Sequence, residues 1–419
     1  MSVLAAIAIF RLIVFGLPVL AVIWWFWADR RLRRLPRGGR WRIALAAFVG
    51  GNLVVYAWVI LSRFTGHGAA IPGLLLEICY LWHLLILPLT IIVLTGGTAL
   101  GAVVRGGAWL RRSLRARRMS NVGAEIADDP ADPPAAEDRP PRPTRRQILV
   151  AGLTALPVLA TGAAQAKAMS QLSTFRIRRL EVELPTLPAA LDGLTIAHLS
   201  DLHVGRFTNG PILDDVVTRT NALGADLVLF TGDLIDHALA DLPGGLDVLR
   251  RIAPAGRLFM CEGNHDLFEG RAEFEQRVRR AGVPLLVNEA ATLDIRGQRV
   301  QVLGLRWSGY GGSIDDDVDR LFALRQPDAF TILLAHHPHA FDRAAAAGIP
   351  LTLAGHTHGG QLMLTSDIGA GPVLFKYWSG LYRQGAAALV VSNGVGNWFP
   401  LRVNAPAEIL HLRLRSRKP

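Results

Sequence analysis

The chain has 419 residues, of which 51% are hydrophobic and 19% are charged. This composition excludes a disordered or collagen-like chain and favours a protein with a membrane portion. The formal net charge of +11 would suit nucleic-acid binding, but fifteen arginines and only two acidic residues lie within residues 1–118. Because the basic excess belongs to this hydrophobic N-terminal part, we expect no nucleic-acid partner. Only three of the 45 basic residues are lysine, which indicates a GC-rich, bacterial genome.

Three apolar runs within residues 1–118 predict a transmembrane region of about three helices, since a span needs about 20 apolar residues. Residues 12–28 and 43–62 carry no charge, and residues 71–104 are apolar apart from Glu77 and His83. An ionisable residue inside a membrane marks a functional position by default. The simpler interpretation is that Glu77 lies near the outer interface and that His83 packs against another helix.

The distribution of arginine predicts how these helices are oriented. Seven arginines lie between the first two runs and six follow the third, whereas Arg63 alone separates the second run from the third. Because cytoplasmic loops carry the excess of basic residues, we expect the N-terminus outside the cytoplasm and residue 118 inside it. The sequence therefore predicts a multi-pass protein of the bacterial inner membrane.

Residues 119–146 are a linker rich in proline and acidic residues, which cannot build a core. Residues 147–168 form a fourth hydrophobic segment, preceded by Arg145-Arg146 and ending in small residues. This layout resembles a twin-arginine export signal or anchor placed inside the chain. If the segment spans the membrane, the catalytic part of the chain is extracytoplasmic, which is the interpretation we favour over a cytoplasmic interfacial helix. Cleavage after the segment stays open.

Residues 169–419 alternate short apolar runs with helical patterns, which predicts a layered α/β domain with a mixed sheet. The predicted strands are 178–184, 194–199, 227–230, 257–261, 300–305, 331–335, 351–354, 388–392 and 409–414, and the predicted helices are 210–223, 245–252 and 271–281. Such sheets place their chemistry in the loops after the carboxyl ends of the strands.

Side chains of Asp, His or Asn follow five of these strands. The five motifs are Ser200-Asp201-Leu202-His203, Thr231-Gly232-Asp233, Gly263-Asn264-His265-Asp266, the group His336, His337 and His339, and Gly355-His356-Thr357-His358-Gly359-Gly360-Gln361. Oxygen and nitrogen ligands of these kinds suit Mn, Fe or Zn. Two such ions about 3.5–4 Å apart stabilise both oxygens of an in-line phosphoryl displacement. The sequence therefore predicts a dinuclear metal site.

Residues 194–414 resemble the calcineurin-like metallophosphoesterases. Within that family, the resemblance is to the branch of bacterial membrane-associated or twin-arginine-exported proteins. The resemblance rests on the five motifs and on the tail from Val391 through Arg402 to Ile409. It implies a four-layer α/β/β/α sandwich, here preceded by an α-helical transmembrane region. It also implies a first metal held by Asp201, His203, Asp233 and His358 and a second held by Asp233, Asn264, His336 and His356. His336 is preferred to His337 because the branch has His-x-Pro.

The resemblance also implies a mechanism, hydrolysis by a hydroxide that bridges the two metals. His265 is not a ligand in the family, and would bind a phosphoryl oxygen or protonate the leaving group. Asp266 would orient His265 in a catalytic pair, or would only cap the helix that follows.

These observations predict a membrane-anchored phosphohydrolase that acts on a phosphoester or phosphodiester bond in an envelope or lipid-linked substrate. The bilayer is the one further partner expected, and no protein partner is inferred. One alternative is a cytoplasmic-facing pyrophosphatase of a nucleotide-linked lipid of the UDP-diacylglucosamine type. Another is an inactive metal-binding membrane scaffold, which the presence of Asp233 and His265 disfavours.

Overall fold

The computed structural model describes residues 15–33, 35, 38–65, 71–97, 108–109, 144–171, 174–252, 257–309, 314–399 and 401–416. The chain divides into two compact units, an N-terminal one that ends at Gln165 and a C-terminal one that begins at Ala166. Most of the predicted linker lies outside the described residues, so the boundaries expected at residues 118 and 146 stay predictions.

The N-terminal unit is helical. Its described helices include α1 (Leu17–Leu32), α2 (Gly38–Thr65), α3 (Gly73–Tyr80), a π-helical turn at Leu81–Ile86 that continues α3, and α4 (Arg145–Gln171), which runs past the unit boundary at Gln165. A capping box begins α4, since the Thr144 N–H donates to Gln147 Oε1 (2.8 Å) and the Gln147 N–H donates to Thr144 Oγ1 (3.3 Å). This pair fixes the start of the helix beside Arg145.

Three stretches are long and apolar enough to cross a membrane: Gly38–Leu61, Leu74–Gly97 and Gln147–Lys167. They correspond to the second, third and fourth hydrophobic segments of the sequence. The described part of the first segment, α1, has only 16 residues, which is short for a span of about 20. Residues 12–14, which would lengthen it, lie outside the described residues.

Glu77 and His83 are both buried inside the helical unit. The side-chain amide of Gln165 donates a hydrogen bond to Glu77 Oε2, and His83 Nδ1 lies 3.0 Å from the Cys79 carbonyl oxygen. The ring of Tyr56 packs 4.6 Å from that of His83. Both ionisable residues therefore have neighbours within the unit, in keeping with the packing interpretation.

The C-terminal unit contains two β-sheets in the part that the structure describes. Their strands are β1 (Arg176–Leu184), β2 (Thr195–Leu199), β3 (Leu227–Thr231), β4 (Leu258–Cys261), β5 (Glu289–Ile295), β6 (Gln298–Gly304), β7 (Phe330–Leu334), β8 (Leu351–Ala354), β9 (Gly380–Gln384), β10 (Ala387–Val391) and β11 (Glu408–Ser416). The strand orders are β1-β11-β2-β3-β4 and β5-β6-β7-β8-β10-β9. All nine predicted strands are confirmed, and they lie in two mixed sheets, as the four-layer fold implied by the resemblance requires.

Helices cover the outer faces of both sheets. They are α5 (Pro211–Asn221), α6 (Leu242–Arg251), α7 (Arg271–Arg280), α8 (Ile314–Phe322) and α9 (Phe341–Ala346), whereas the short helix α10 (Ala370–Leu374) lies beside the turn His358–Gly360. Alternation along β3 shows the layering, because Val228 and Phe230 join a core with α5–α7 while Leu229 joins the core between the sheets. Leu303 and Leu333 pack on the other side against α8 and α9. The layers are helix, sheet, sheet and helix, as the resemblance implied.

Strands β2, β3 and β4 are parallel to one another, as are β6, β7 and β8. Their carboxyl ends therefore meet at one edge of each sheet. The Asp-x-His, Gly-Asp and Gly-Asn-His-Asp motifs follow the first set, and the two histidine motifs follow β7 and β8. This topology brings the five motifs to one end of the unit.

Candidate metal centre

Asp201, His203 and His358 form the first cluster of donor atoms, and all three residues are buried. His358 Nε2 lies 3.4 Å from Asp201 Oδ1 and 3.0 Å from His203 Nε2. His203 Nε2 lies 3.8 Å from Asp201 Oδ1. One carboxylate oxygen and two imidazole nitrogens thus converge on a single point.

Asp233, Asn264, His336 and His356 form the second cluster. His336 Nε2 lies 3.2 Å from Asp233 Oδ2 and 3.1 Å from Asn264 Oδ1. His356 Nδ1 lies 2.9 Å from the same Asn264 oxygen and 3.2 Å from His336 Nε2. The structure thus brings all four side chains together.

Asp233 lies between the two clusters. Its Oδ2 atom is 3.2 Å from His336 Nε2 and 3.6 Å from His203 Nε2. One carboxylate oxygen therefore contacts a histidine of each group, which is the position that a bridging ligand requires.

The backbone at these residues is strained. Five residues have positive φ, where side chains with a Cβ are disfavoured, namely Asp201 (52°), His203 (47°), Asp233 (57°), His356 (71°) and His358 (48°). A Cβ on Gly263 would collide with the Asp233 carboxylate, and one on Gly355 would collide with Ser200 and Asp201. Strain of this kind persists where the surrounding structure enforces it, commonly at functional sites.

The electrostatics of the clusters suit a divalent cation. Burial opposes ionisation of Asp233, but the charge of His336 and its hydrogen bond outweigh burial and lower the pKa of the carboxyl. Burial likewise opposes the charged form of His336, yet Asp233 raises the pKa of this imidazole to about 9. Without a metal, a proton on His336 offsets the carboxylate charge. Buried carboxylate, amide and imidazole ligand atoms at these distances fit an ion of Mn, Fe or Zn in place of that proton.

His337 occupies a different position from His336. Its Nδ1 atom accepts a hydrogen bond from the His339 N–H at 3.2 Å, and its ring packs 4.6 Å from the ring of His356. His336 is thus the histidine of this motif that joins the second cluster.

Comparison with known proteins identifies the family. Residues 194–360 match the calcineurin-like phosphoesterase family. The metallophosphoesterase YkuE of Bacillus subtilis is 32% identical over 250 residues, which are 55% of this chain and 82% of that protein. The chain belongs to the calcineurin-like metallophosphoesterase family. Members of this family depend on two metal ions and hydrolyse phosphoester bonds, and the two donor clusters of this chain contain the kinds of ligand that such ions require.

Two further relatives bear on its organisation. Phosphodiesterase YaeI of Escherichia coli is 29% identical over 231 residues, covering 52% of this metallophosphoesterase and 81% of that protein. A zebrafish (Danio rerio) transmembrane protein with a metallophosphoesterase domain is 29% identical over 255 residues, which are 56% of this chain and 57% of that protein. The chain thus spans less than two thirds of the zebrafish protein. Candidate membrane helices and such a relative together indicate membrane association.

His265 of the metallophosphoesterase lies beside the first cluster, with its ring 4.6 Å from that of His203. Its Nδ1 atom is 2.5 Å from the carbonyl oxygen of Asp236 and 3.5 Å from Asp236 Oδ1. Burial opposes protonation of His265, but the hydrogen bond with Asp236 and the charge of Asp233 prevail and raise the pKa of the imidazole. His265 is therefore oriented by Asp236 and suited to donate a proton. Sequence reasoning missed Asp236, although Asp233-x-x-Asp236 places a second carboxylate in the same strand-end loop.

Asp266 does not occupy the position expected of it. Its Oδ1 atom accepts hydrogen bonds from the N–H groups of Leu234 (2.7 Å) and Ile235 (3.1 Å), and its Oδ2 atom accepts from Asp233 and Gly263 (2.9 Å each). The carboxylate braces the loop that carries Asp233. The expectation that Asp266 orients His265 is corrected in favour of Asp236, and the helix-cap alternative gives way to this bracing.

Arg402 holds the ring of His358 from behind. Its Nη2 atom lies 2.8 Å from His358 Nδ1 and donates to the Gly396 carbonyl oxygen at 2.6 Å. Arg402 is buried, and its contact with Nδ1 limits the movement of the imidazole ring. From the sequence, Arg402 was recognised only as part of the C-terminal tail that resembles the family, and no role was predicted for it.

Trp307 forms one wall of the cleft above the second cluster. Its ring lies 5.5 Å from that of His356 and 5.6 Å from that of His336. The Trp307 N–H donates to Glu262 Oε1 at 2.9 Å, and Arg271 lies 3.0 Å from the same oxygen. The buried Glu262 thus anchors the Trp307 loop to the strand end that carries Asn264.

Proposed function

We propose that this chain is a membrane-anchored, dinuclear-metal phosphohydrolase that cleaves phosphoester or phosphodiester bonds in an envelope or lipid-linked substrate. One observation carries the proposal: a single oxygen of Asp233 lies within 3.6 Å of a histidine from each donor cluster. Two catalytic ions that share a carboxylate need this arrangement, whereas a single structural ion does not.

The proposed first metal is held by Asp201, His203, Asp233 and His358, and the second by Asp233, Asn264, His336 and His356. When bound, the two ions activate water and offset the negative charge that develops on the phosphoryl group. Side chains of the protein hold the ligands and the loops that carry them in position. Arg402 and Asp266 hold ligands and loops in place, as their hydrogen bonds indicate.

His265 is the proposed proton donor to the leaving group. Its imidazole has the Asp236 carbonyl and carboxylate oxygens on its Nδ1 side, so Nδ1 carries a hydrogen and Nε2 is the atom that exchanges a proton. General acid catalysis of this kind contributes about 10²–10⁴-fold. An intact His265–Asp236 pair argues against an inactive scaffold.

The chain is proposed to lie in the bacterial inner membrane as a multi-pass protein, with the catalytic unit outside the cytoplasm. Three candidate spans support anchoring, and the arginine-rich loops support the orientation. A tether is useful when the substrate shares the bilayer, because it raises the effective concentration of enzyme at that surface.

Metal add-back tests the activity. The full chain is purified in detergent, stripped with a chelator and assayed on bis-nitrophenyl phosphate after addition of Mn, Fe or Zn. We expect no turnover in the stripped protein and recovery with at least one ion. If no ion restores turnover while the ions bind, the protein is a metal-binding scaffold.

Protease accessibility of residues 169–419 in intact spheroplasts tests the orientation. Digestion from outside is expected. Protection until lysis would place the catalytic unit in the cytoplasm and would move the substrate search to nucleotide-linked lipids.

A further inference from the structure

Four large aliphatic side chains are exposed on one short segment of the catalytic unit. Leu364, Ile368, Val373 and Leu374 have relative exposures of 72%, 59%, 82% and 67%. We call these four residues the apolar rim. Isolated exposed aliphatic residues are ordinary, but a group of them on a soluble surface marks an interaction site.

The apolar rim is part of a well-defined structure. The Leu364 N–H donates to the Ile368 carbonyl oxygen at 2.7 Å, which closes a polar turn between these two residues. The Ala370 N–H donates to the Leu362 carbonyl oxygen at 2.9 Å, and helix α10 follows with Val373 and Leu374. The rim residues are therefore held outward by a hydrogen-bonded turn and a short helix.

The rim is joined to the metal centre at both ends. The segment starts directly after His358-Gly359-Gly360, and the Gln361 N–H donates to the His358 carbonyl oxygen at 3.1 Å. It ends at Phe375, whose ring lies 6.0 Å from that of His356. A surface that contacts the rim thus contacts the edge of the catalytic cleft.

More exposed apolar side chains lie on the other side of the cleft. Phe268 is 52% exposed with its ring 4.7 Å from that of His265, and Trp398 is 38% exposed with its ring 5.7 Å from His265. Apolar groups therefore flank the two donor clusters from both sides. This suits a phosphoester whose charged group enters the cleft while its apolar part stays outside.

The length of the chain indicates what covers the rim. The candidate span Gln147–Lys167 is followed by β1, which begins at Arg176, nine residues after Lys167. Fully extended, nine residues reach about 30 Å. The start of the catalytic unit therefore stays within about 30 Å of the bilayer, at a high effective concentration for binding to it.

We propose that the apolar rim inserts into the surface of the bilayer that anchors the chain, so that the metal centre hydrolyses phosphoesters of membrane lipids in place. This inference rests on the proposed phosphohydrolase function and names its substrate class. Exposed aliphatic side chains bind the boundary between headgroups and acyl chains through the area that they bury there.

Site-directed fluorescence in the full chain tests the docking without any need for turnover. Both native cysteines are buried, so Ile368→Cys offers a selective attachment point for an environment-sensitive fluorophore. The labelled protein is reconstituted in vesicles of phosphatidylethanolamine and phosphatidylglycerol. We expect a blue-shifted emission and quenching by lipids that carry a spin label on the acyl chain.

Leu324→Cys is the matched control. Leu324 is also exposed, at 46%, but it precedes β7 and lies at the opposite end of that strand from His336. Its fluorophore should not be quenched. Equal or absent quenching at the two positions would overturn the proposal, and so would energy transfer between labelled copies in place of lipid quenching, since it would show a second copy on the rim.

Activity then separates docking from catalysis. The combined variant Leu364→Ser, Ile368→Ser, Val373→Ser and Leu374→Ser should hydrolyse bis-nitrophenyl phosphate within about twofold of wild type, because these side chains lie outside the donor clusters. Hydrolysis of a nitrophenyl phosphodiester with a long acyl chain in vesicles should fall by at least about tenfold. An equal loss of activity on both substrates would contradict docking. If the wild type hydrolyses neither substrate, the proposed function is refuted, and the fluorescence experiment alone then decides whether the apolar rim binds the bilayer.

Discussion

At the residue scale, the histidines near the metal centre differ in what their nitrogens face. His203, His336, His356 and His358 each direct a nitrogen at another donor atom of the clusters. His265 instead has its Nδ1 atom against Asp236. The proposed ligands and the proposed proton donor thus differ in their neighbours, although the residue type is the same.

Replacement of His265 by alanine should leave metal binding intact and lower turnover by at least about 100-fold, since it removes a general acid. Asp236→Asn should lower turnover less, by about tenfold, and should move the pH profile, because the charge that helps to raise the pKa of His265 is lost. Metal analysis and pH–rate profiles of both variants measure this. A lower metal content in His265→Ala would show that this residue is a ligand.

The adjacent pair His336 and His337 provides an internal control. His336→Ala should weaken the second metal by more than about 100-fold, because a direct ligand contributes more than its supporting residues, whose loss costs about 10–100-fold. His337→Ala should change metal affinity by less than about threefold, since its Nδ1 atom faces His339. Titration calorimetry with Mn measures both. The opposite ranking would reassign the ligand.

Most residues of the metal centre were predictable from the sequence, but the roles of Asp236 and Asp266 were not. The spacing of Asp201, His203, Asp233, His356 and His358 at strand ends placed them at one site. Asp236 was missed because a carboxylate in a loop has no pattern of its own. The role of Asp266 was misjudged because three of its four backbone hydrogen bonds come from a loop more than 30 residues away in sequence.

At the scale of elements, strand β4 is followed directly by a buried carboxyl group, that of Glu262. Burial raises the pKa of Glu262 to about 7 from 4.5, and Arg271 opposes that shift only in part. The folded state therefore holds the proton more tightly than the unfolded state does. The free energy of unfolding should fall as pH rises from 4.5 to about 7 and level off above, by up to about 3 kcal/mol from this group.

Glu262→Gln should flatten this dependence, because glutamine cannot titrate but still offers an oxygen to the Trp307 N–H. Melting temperatures of the purified protein between pH 4.5 and 8 test it. Glu273→Gln is the control, since Glu273 is exposed on α7 and pairs with Arg277. An unchanged slope in Glu262→Gln, or an equal effect in the control, would contradict the account.

Two strands, β5 and β9, were not predicted. Both lie at the edges of the six-stranded sheet, and their residues are mostly half-buried or exposed. Their sequences therefore lack the continuous apolar runs by which β3, β7 and β8 were recognised. Buried strands are visible in sequence because both faces need apolar residues, whereas an edge strand needs few.

At the scale of the whole molecule, the chain combines an apolar helical unit with a calcineurin-like metallophosphoesterase domain. Hydropathy predicted four hydrophobic segments, because in lipid a helix is apolar on every face, and among the described residues the second, third and fourth are long and apolar enough to cross a membrane. The division into two sheets came only from the resemblance, since strand order depends on pairings between distant parts of the chain. Its family membership indicates the class of reaction, and the candidate membrane helices indicate that the chain is associated with a membrane.

In the proposed centre, Asp233 serves both metal ions. The most direct test is metal content and turnover of bis-nitrophenyl phosphate in the wild type, Asp233→Ala and His265→Ala, measured on the same full-chain preparations. We predict two ions per chain and turnover in the wild type, loss of both ions and of turnover in Asp233→Ala, and two ions without appreciable turnover in His265→Ala. If Asp233→Ala retains both ions or hydrolyses the diester at the wild-type rate, Asp233 does not bridge a dinuclear centre and the account is wrong.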